Sequence, residues 1–293
     1  MHFVQSYAKI NLTLDVLGRR SDGYHELITI MQTIDLYYTI CLTANKDTSV
    51  RMICTRPELS NDDNLAARAA QAIRQRLSLT QGLDIELHKR IPVAAGLAGG
   101  SSNAVAVLLA LQHWWQLPLS TADLQTIAAT LGSDMPFFLT GGLALCEGRG
   151  ERITPLAYRL PPSMRWILLV KPAISVSTAS VFRNLTARDY SDGAASRSLL
   201  AALAEGGNQL PLEHLHNSLE HSVLEQYPQV AQAREDMLRA GTPYVRLSGS
   251  GPTLFSTFSN LSSATQVQQQ LHAQGYEVYL THAIYPDDEK KAD

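Results

Sequence analysis

The sequence predicts an α+β protein of two domains. Three observations carry this: strands following strands with one helix among them before residue 90, a strand–strand–helix–strand order after residue 244, and a length of 293 residues. At ~150 residues per domain that length suits two domains, and strands in runs exclude a doubly wound sheet. The hydrophobic fraction is 45% and the charged fraction 17%, enough apolar surface to offset chain entropy, which excludes a disordered chain. With 24 basic and 27 acidic residues the net charge is -3, so no global positive field exists to hold nucleic acid or an anionic membrane. Cys41, Cys54 and Cys146 form no CxxC pair, which points to a reduced cytosolic setting without a disulfide frame or thiolate metal cage. No basic-then-apolar leader follows Met1, and the longest apolar run, 104–111, is far short of the ~20 residues a spanning helix needs. A cytoplasmic protein is expected.

Along the chain, Ile10, Leu12, Leu14 and Val16 alternate with polar residues and define one face of a half-buried strand. Residues 18–23 read as a loop, 27–40 as a second strand, and 49–54 and 83–87 alternate again. Between these last two, 64–77 has Leu65, Ala69, Ala72 and Ile73 at near-helical spacing. Ala104, Val107, Leu108 and Leu111 fall at i, i+3, i+4 and i+7 of a helix that Trp114 and Trp115 continue. Ser120 and Asp123 frame a capping box; Leu124, Ile127, Ala128 and Leu131 form that helix's buried face, and Gly132 closes it. Asp134, Met135 and Pro136 open a further helix with proline in its first turn. The loop 150–162 takes the domain boundary, giving domains 1–155 and 156–293. Beyond it come a strand at 166–170, a polar mobile loop at 188–197, helices near 212–227 and 228–240, strands at 244–247 and 253–258, a helix near 264–274 and a strand at 277–284. That order describes a small antiparallel sandwich with helices on one face.

The segment Pro92, Val93, Ala94, Ala95, Gly96, Leu97, Ala98, Gly99, Gly100, Ser101, Ser102 carries the first chemical signal. Small residues let the backbone approach a ligand, successive N–H groups can form an anion nest, and the following helix aims its positive end at the same point. A phosphate fits; tight packing is the alternative. The segment lacks both the Lys-Ser/Thr ending of a P-loop and the GxGxxG pattern, which disfavours those two sites. Asp134 either accepts a proton from a hydroxyl or caps a helix. Lys9 is either a charge partner or a solvated strand end, and Tyr24, His25 and Phe182 either stack on a base or fill turns and core.

Residues 92–103 resemble the central phosphate-binding motif of the GHMP kinase superfamily. Three further segments are similar to that family in its own order. Tyr7-Ala8-Lys9-Ile10-Asn11-Leu12 resembles its N-terminal motif, Gly132-Ser133-Asp134-Met135-Pro136-Phe137-Phe138 its acidic catalytic segment, and Leu247-Ser248-Gly249-Ser250-Gly251-Pro252 its C-terminal glycine motif. Three more pieces narrow the resemblance: Arg20-Ser21-Asp22-Gly23-Tyr24-His25-Glu26-Leu27, Asp63-Asn64-Leu65 and Glu147-Gly148-Arg149-Gly150-Glu151. They are similar to the branch that phosphorylates the 2-hydroxyl of a cytidine diphosphate derivative of methylerythritol, on the methylerythritol phosphate route to isoprenoids.

The resemblance implies a two-domain GHMP kinase fold, ribosomal-protein-S5-like at the N-terminus and ferredoxin-like at the C-terminus. It implies ATP as co-substrate at 92–102, with Asn64 and Lys89 around adenine and ribose. Mg²⁺ would be held mostly by phosphate oxygens, with Ser101 or Ser102 as the protein's contribution and no dedicated metal cage. Lys9 and Asp134 are implied as neighbouring catalytic residues. Tyr24 and Phe182 would cover the cytosine faces, with His25 on its edge, Asn11 on the methylerythritol hydroxyls and Thr178 nearby. The implied partners are ATP and a small molecule, with no nucleic acid or membrane, and monomer or homodimer both stay open.

Alternatives are a homoserine or phosphomevalonate type of kinase, a diphosphomevalonate decarboxylase, or a non-catalytic nucleotide-binding homologue. Tyr24-His25 after Asp22-Gly23 disfavours the first two, and retention of both Lys9 and Asp134 the last. Alanine stands at 94, 95 and 98 where relatives often carry glycine, a departure that costs of order 1 kcal/mol only where φ is positive.

Overall fold

Strand β1 (His2–Arg19) and strand β2 (His25–Asn45) are long and continuous, and each takes part in two compact units. A computed structural model describes residues 1–88, 91, 92 and 94–289. One unit comprises Met1–Ala8, Leu36–Pro92 and Ala98–Thr140, the other Lys9–Asp35, Val93–Leu97 and Gly141–Asp293. Both long strands contribute residues to both units.

In the first unit, β3 (Val50–Cys54), α1 (Leu65–Arg76) and β4 (Gly82–His88) form a parallel crossover, β3 lying beside β4 from Val50 opposite Leu83 to Cys54 opposite Leu87. The C-terminal half of β2 pairs antiparallel with β4, Thr39 facing His88 and Asn45 facing Gly82. Helix α2 (Gly99–Trp114) buries Ala104, Val107, Leu108 and Leu111 as its periodicity predicts. It packs on α1, whose buried face is mostly alanine (Ala66, Ala67, Ala69, Ala70), so the two axes can approach closely. Helix α3 (Thr121–Leu131) has the expected capping box, and the Ser120 hydroxyl, the Ser120 N–H and Arg76 together hold the Asp123 carboxyl at about 2. Gly132 ends α3 at φ 176, an extended conformation and not the left-handed one a C-terminal glycine usually supplies. Helix α4 (Met135–Thr140) follows and buries Met135, Pro136 and Phe137.

In the second unit, β5 (Leu143–Gly148) pairs antiparallel with β2 from Leu27 opposite Gly148 to Gln32 opposite Leu143, and β6 (Arg152–Pro155) pairs with β5. The segment expected as a bare linker thus contains a strand. Next come β7 (Trp166–Lys171), α5 (Thr178–Arg183) and α6 (Ala194–Glu205). The first residues of α6 were expected in a mobile loop; their order has a tertiary cause described below. The expected helix 212–227 is broken by β8 (His216–Asn217), which lies parallel to β1 at Thr13 and Leu14, and only then does α7 (Glu220–Gln226) begin.

The remaining elements are α8 (Pro228–Arg239), β9 (Arg246–Leu247), β10 (Leu254–Phe258), α9 (Leu261–Ala273), β11 (Glu277–Thr281) and α10 (Pro286–Glu289). The sheet order β11-β7-β10-β9, antiparallel throughout, with α8 and α9 as connections, is the ferredoxin-like arrangement the resemblance implies. Its core joins Leu168, Val170 and Leu254 of the sheet to Val230, Met237, Val267 and Leu271 of the helices. Among the described residues, no helix is long and apolar enough to cross a membrane.

Candidate active site

In the first unit, the phosphate-loop candidate ends in Ala98, which sits at φ 51, ψ 29 as the N-cap of α2 and makes no side-chain cap bond. The first-turn N–H groups of this 16-residue helix are therefore left to backbone, water or ligand. Two contacts fix the helix start. The Ser6 hydroxyl reaches Ser102 Oγ at 2.8 Å and Asn103 Oδ1 at 2.7 Å, which commits buried Ser102 to β1. Tyr38, buried and donating to the Ile91 carbonyl at 2.6 Å, lies against Gly99, where a Cβ would come within 2.9 Å of the ring. Tyr38 was not singled out by the sequence; a tyrosine in an alternating strand carries no sign that a glycine 61 positions on needs its ring.

Asn64 Oδ1 accepts from the Ala66 N–H and its Nδ2 donates to the Leu59 carbonyl, so this side chain caps α1. Asp134 is half-buried immediately before α4. Lys89 and Val93, both expected at the nucleotide, lie outside the described residues.

In the second unit, four segments distant in sequence converge. Gly96, at φ +73, packs so closely on the loop after β9 that a Cβ would lie 2.2 Å from the Ser248 carbonyl oxygen and 2.9 Å from the Gly251 nitrogen. Ser248 Oγ donates to the Gly96 carbonyl at 3.2 Å, and the Lys9 N–H donates to the Leu97 carbonyl at 3.2 Å. A Cβ on Gly249, at φ +55, would sit 3.3 Å from Asn11 Oδ1 and 3.4 Å from Lys9 Nζ. Asn217 ties the glycine loop down by donating to the carbonyls of Leu247 and Gly249 at 2.9 and 2.8 Å. Asn217 Oδ1 also accepts from the Leu219 N–H at 2.9 Å, the only local one of these three contacts; the two carbonyls that its amide nitrogen ties down arrive through tertiary folding.

Lys9 and Asn11 are buried, contrary to a solvated strand end: Lys9 Nζ donates to Asn11 Oδ1 at 2.5 Å, and Asn11 Nδ2 to Thr29 Oγ1 at 2.8 Å. The strand is buried on both faces from Ala8 to Val16, where alternation alone predicts one. Thr178 Oγ1 lies 2.7 Å from Ser250 Oγ, which joins α5 to the glycine loop.

Around the turn between β1 and β2, the His25 ring packs against Phe182 with centroids 5.4 Å apart and against Tyr190 at 6.0 Å. Nothing in the sequence singled out Tyr190, which lies 165 positions from the histidine its ring meets. Burial, reinforced by the charge of Arg19, lowers the His25 pKa below 6.5, so the neutral ring keeps one donor and one acceptor at neutral pH. Tyr24 projects outward, 52% exposed, with the Arg149 guanidinium 4.6 Å from its ring centre. In the same turn Arg20 is engaged by Glu26 and Asp22. Among the described residues, no group of three or more His, Cys, Asp or Glu could hold a metal ion.

Residues 64–142 match the family model for the GHMP kinases N terminal domain and 199–277 that for the GHMP kinases C terminal. A 4-diphosphocytidyl-2-C-methyl-D-erythritol kinase of Alkaliphilus metalliredigens (strain QYMF) is 43% identical over 270 residues, 92% of this chain and 91% of the relative. This chain belongs to the 4-diphosphocytidyl-2-C-methyl-D-erythritol kinase family of GHMP kinases. A family member from Geobacillus kaustophilus (strain HTA426) is 42% identical, covering 92% of both chains. A crystal structure of a 4-(cytidine 5'-diphospho)-2C-methyl-D-erythritol kinase superposes with a TM-score of 0.81 at 33% identity, covering 96% of this chain and 99% of that one. Homoserine kinase from Cytophaga hutchinsonii shares the fold alone, with a TM-score of 0.71 at 17% identity, over 97% of this chain and 95% of that one.

Proposed function

We propose that this chain transfers the γ-phosphoryl group of ATP to the 2-hydroxyl of 4-diphosphocytidyl-2-C-methyl-D-erythritol, a step of the methylerythritol phosphate route to isopentenyl diphosphate. The observation that carries the reading is the buried Lys9–Asn11 pair, held against the Gly96 and Gly249 backbones on the strand that leads into the Tyr24–His25 turn. The Lys9 ammonium, buried beside these backbones, supplies positive charge of the kind that stabilises a transferring phosphoryl group.

In this reading the ATP phosphates take the backbone of 92–102, and Asn64 and Lys89 flank the adenosine. The Asn64 side chain already caps α1, so its contribution to the nucleotide runs through the position of that helix start. Asp134 accepts the proton of the attacking hydroxyl, while Lys9 neutralises charge that develops on the phosphoryl oxygens. Asn11 orients the methylerythritol hydroxyls. Tyr24, His25 and Phe182 take the cytosine ring, with Thr178 beside them. Bound Mg²⁺ supplies charge neutralisation on the phosphates; with Ser102 committed to Ser6, Ser101 is the hydroxyl of the helix start that would hold it. ATP as co-substrate argues for the cytoplasm, with small molecules as partners, neither nucleic acid nor membrane, and a monomer or homodimer built from modules 1–155 and 156–293.

The test is ADP release measured separately with the cytidyl substrate, homoserine and phosphomevalonate, with the product followed by phosphorus NMR. Release with the cytidyl substrate and a new phosphate monoester resonance are expected. Release only with one of the other acceptors overturns the substrate, and release with none overturns the activity.

A further inference from the structure

Every second residue of β1 from Lys9 to Asp15 points to one face, and that face is polar yet buried: Lys9, Asn11, Thr13 and Asp15 are all 3% exposed or less. Burial of so much polarity is tolerable only if each group is bonded. The bonds form a continuous row. From Asn11 the row passes through Thr29 Oγ1, which donates to the Thr13 carbonyl at 2.5 Å. Thr13 Oγ1 lies 2.7 Å from Ser196 Oγ, and Ser196 Oγ donates to Asp15 Oδ2 at 2.5 Å.

The far end of the row carries a group the reaction does not use. Asp15 also accepts from the Ser196 N–H at 2.9 Å and from Ser191 Oγ at 2.7 Å. Ser196 is the third residue of α6, the position whose N–H an N-cap side chain normally takes. The local N-cap is Gly193, which has no side chain to offer. Asp15 therefore caps α6 from 181 residues away and pins Ser191, whose N–H also donates to the Val16 carbonyl at 2.8 Å. The residue before Ser191 is Tyr190, the second ring against His25.

We infer that Asp15 is a positioning residue for the nucleobase: by capping α6 and holding Ser191, it sets Tyr190 against His25 and so fixes the imidazole plane that meets the cytosine edge. This rests on the substrate reading above and adds Asp15 and Tyr190 as determinants of specificity. The row also joins this device to the strand that carries Lys9 and Asn11, so nucleobase and acceptor hydroxyl are registered on one rigid element.

The experiment is steady-state kinetics on the full-length enzyme for Tyr190→Ala, Tyr190→Phe, Asp15→Asn and the double variant Asp15→Asn with Tyr190→Ala. Tyr190→Ala is expected to raise KM for the cytidyl substrate by about tenfold, as loss of a ring in a base-binding wall does, with kcat and the KM for ATP nearly unchanged. Tyr190→Phe keeps the ring and restores most of that affinity. Asp15→Asn shifts the same KM in the same direction, and the double variant is no worse than Tyr190→Ala alone, since both act through one contact. Multiplying effects in the double variant, or an unchanged cytidyl KM in Tyr190→Ala, overturn the inference.

Should Asp15→Asn fail to fold, Ser191→Ala, which leaves Asp15 its bonds to Ser196, replaces it in the same cycle with the same expectations. Absence of turnover in the wild-type enzyme overturns the substrate reading itself. Normal wild-type turnover with variants of normal KM overturns only the coupling.

Discussion

At the start of α2 the proposed recognition is left to backbone: three alanines and three glycines between 94 and 100, close packing at Gly96 and Gly99, and helix N–H groups without a side-chain cap. Around His25 it is left to rings carried by separate segments, with Phe182 on α5 and Tyr190 ahead of α6. The first kind of site is sensitive to a single added methyl group and tolerant of side-chain chemistry. The second is the reverse. A phosphate presents the same oxygens whatever it is attached to, so backbone suffices for it; a nucleobase must be told from other rings, which needs side chains held at set angles.

The largest expected effect tests the chemistry that both regions serve. Asp134→Asn should lower kcat by about 10²–10⁴-fold, the usual contribution of a general base, while the KM for ATP stays put. Near-normal turnover would reduce Asp134 to a helix-capping residue.

Gly96→Ala attacks the backbone region directly. Its φ is +73 and the new Cβ would meet the Ser248 carbonyl at 2.2 Å, so a stability loss of about 2–4 kcal/mol is expected in urea denaturation. A variant as stable as the wild type would show that the two loops do not pack as described. Tyr24→Ala attacks the aromatic region and should raise the cytidyl KM by about tenfold without moving the melting temperature, because a half-exposed ring contributes little to folding.

Ala98→Gly sharpens the contrast in the opposite direction. Ala98 sits at φ 51 and Ala94 at φ 50, the costly conformations for alanine, whereas Ala95 does not have a positive φ. Glycine at 98 should stabilise the protein by about 0.5–1 kcal/mol, the relief of left-handed strain less the greater freedom of the unfolded chain. A destabilised variant would mean that the methyl group packs usefully.

The smallest effect concerns protons. Since His25 titrates below 6.5 in the folded protein, the unfolded chain binds more protons near that pH. Its contribution to stability is whole above the ordinary histidine range and is lost as pH falls through 6.5 toward the folded-state value. Arg19→Ala should move the NMR titration midpoint of His25 upward; an unmoved midpoint would leave burial as the sole cause.

Much of the fold was legible because its signals are local. The capping box of α3 spans four residues, the buried stripe of α2 repeats every turn, and the strand–helix order of the C-terminal sheet survives shifts of a few residues at element ends. The candidate site was legible wherever a motif is contiguous: Lys9 and Asn11, the glycine segment, Tyr24 and His25. It was illegible where the partner is remote. Residues 188–197 read as mobile because nothing nearby caps Ser196, and the helix predicted across 212–227 is interrupted because His216 and Asn217 pair with Thr13 and Leu14 of β1.

The amino-acid order alone determined most of the strands and helices, where backbone can pass close to an anion, and which side chains carry the proposed chemistry, since each of these depends on neighbours within a turn or two of chain; β6, β8 and the start of α6 are the exceptions. Tertiary structure decided that Tyr38 buttresses Gly99, that Asn217 anchors the Gly249 loop, and that Asp15 caps α6. Hydrogen bonds and van der Waals contacts act over a few ångströms of space, and only the folded chain makes residues 181 positions apart into neighbours.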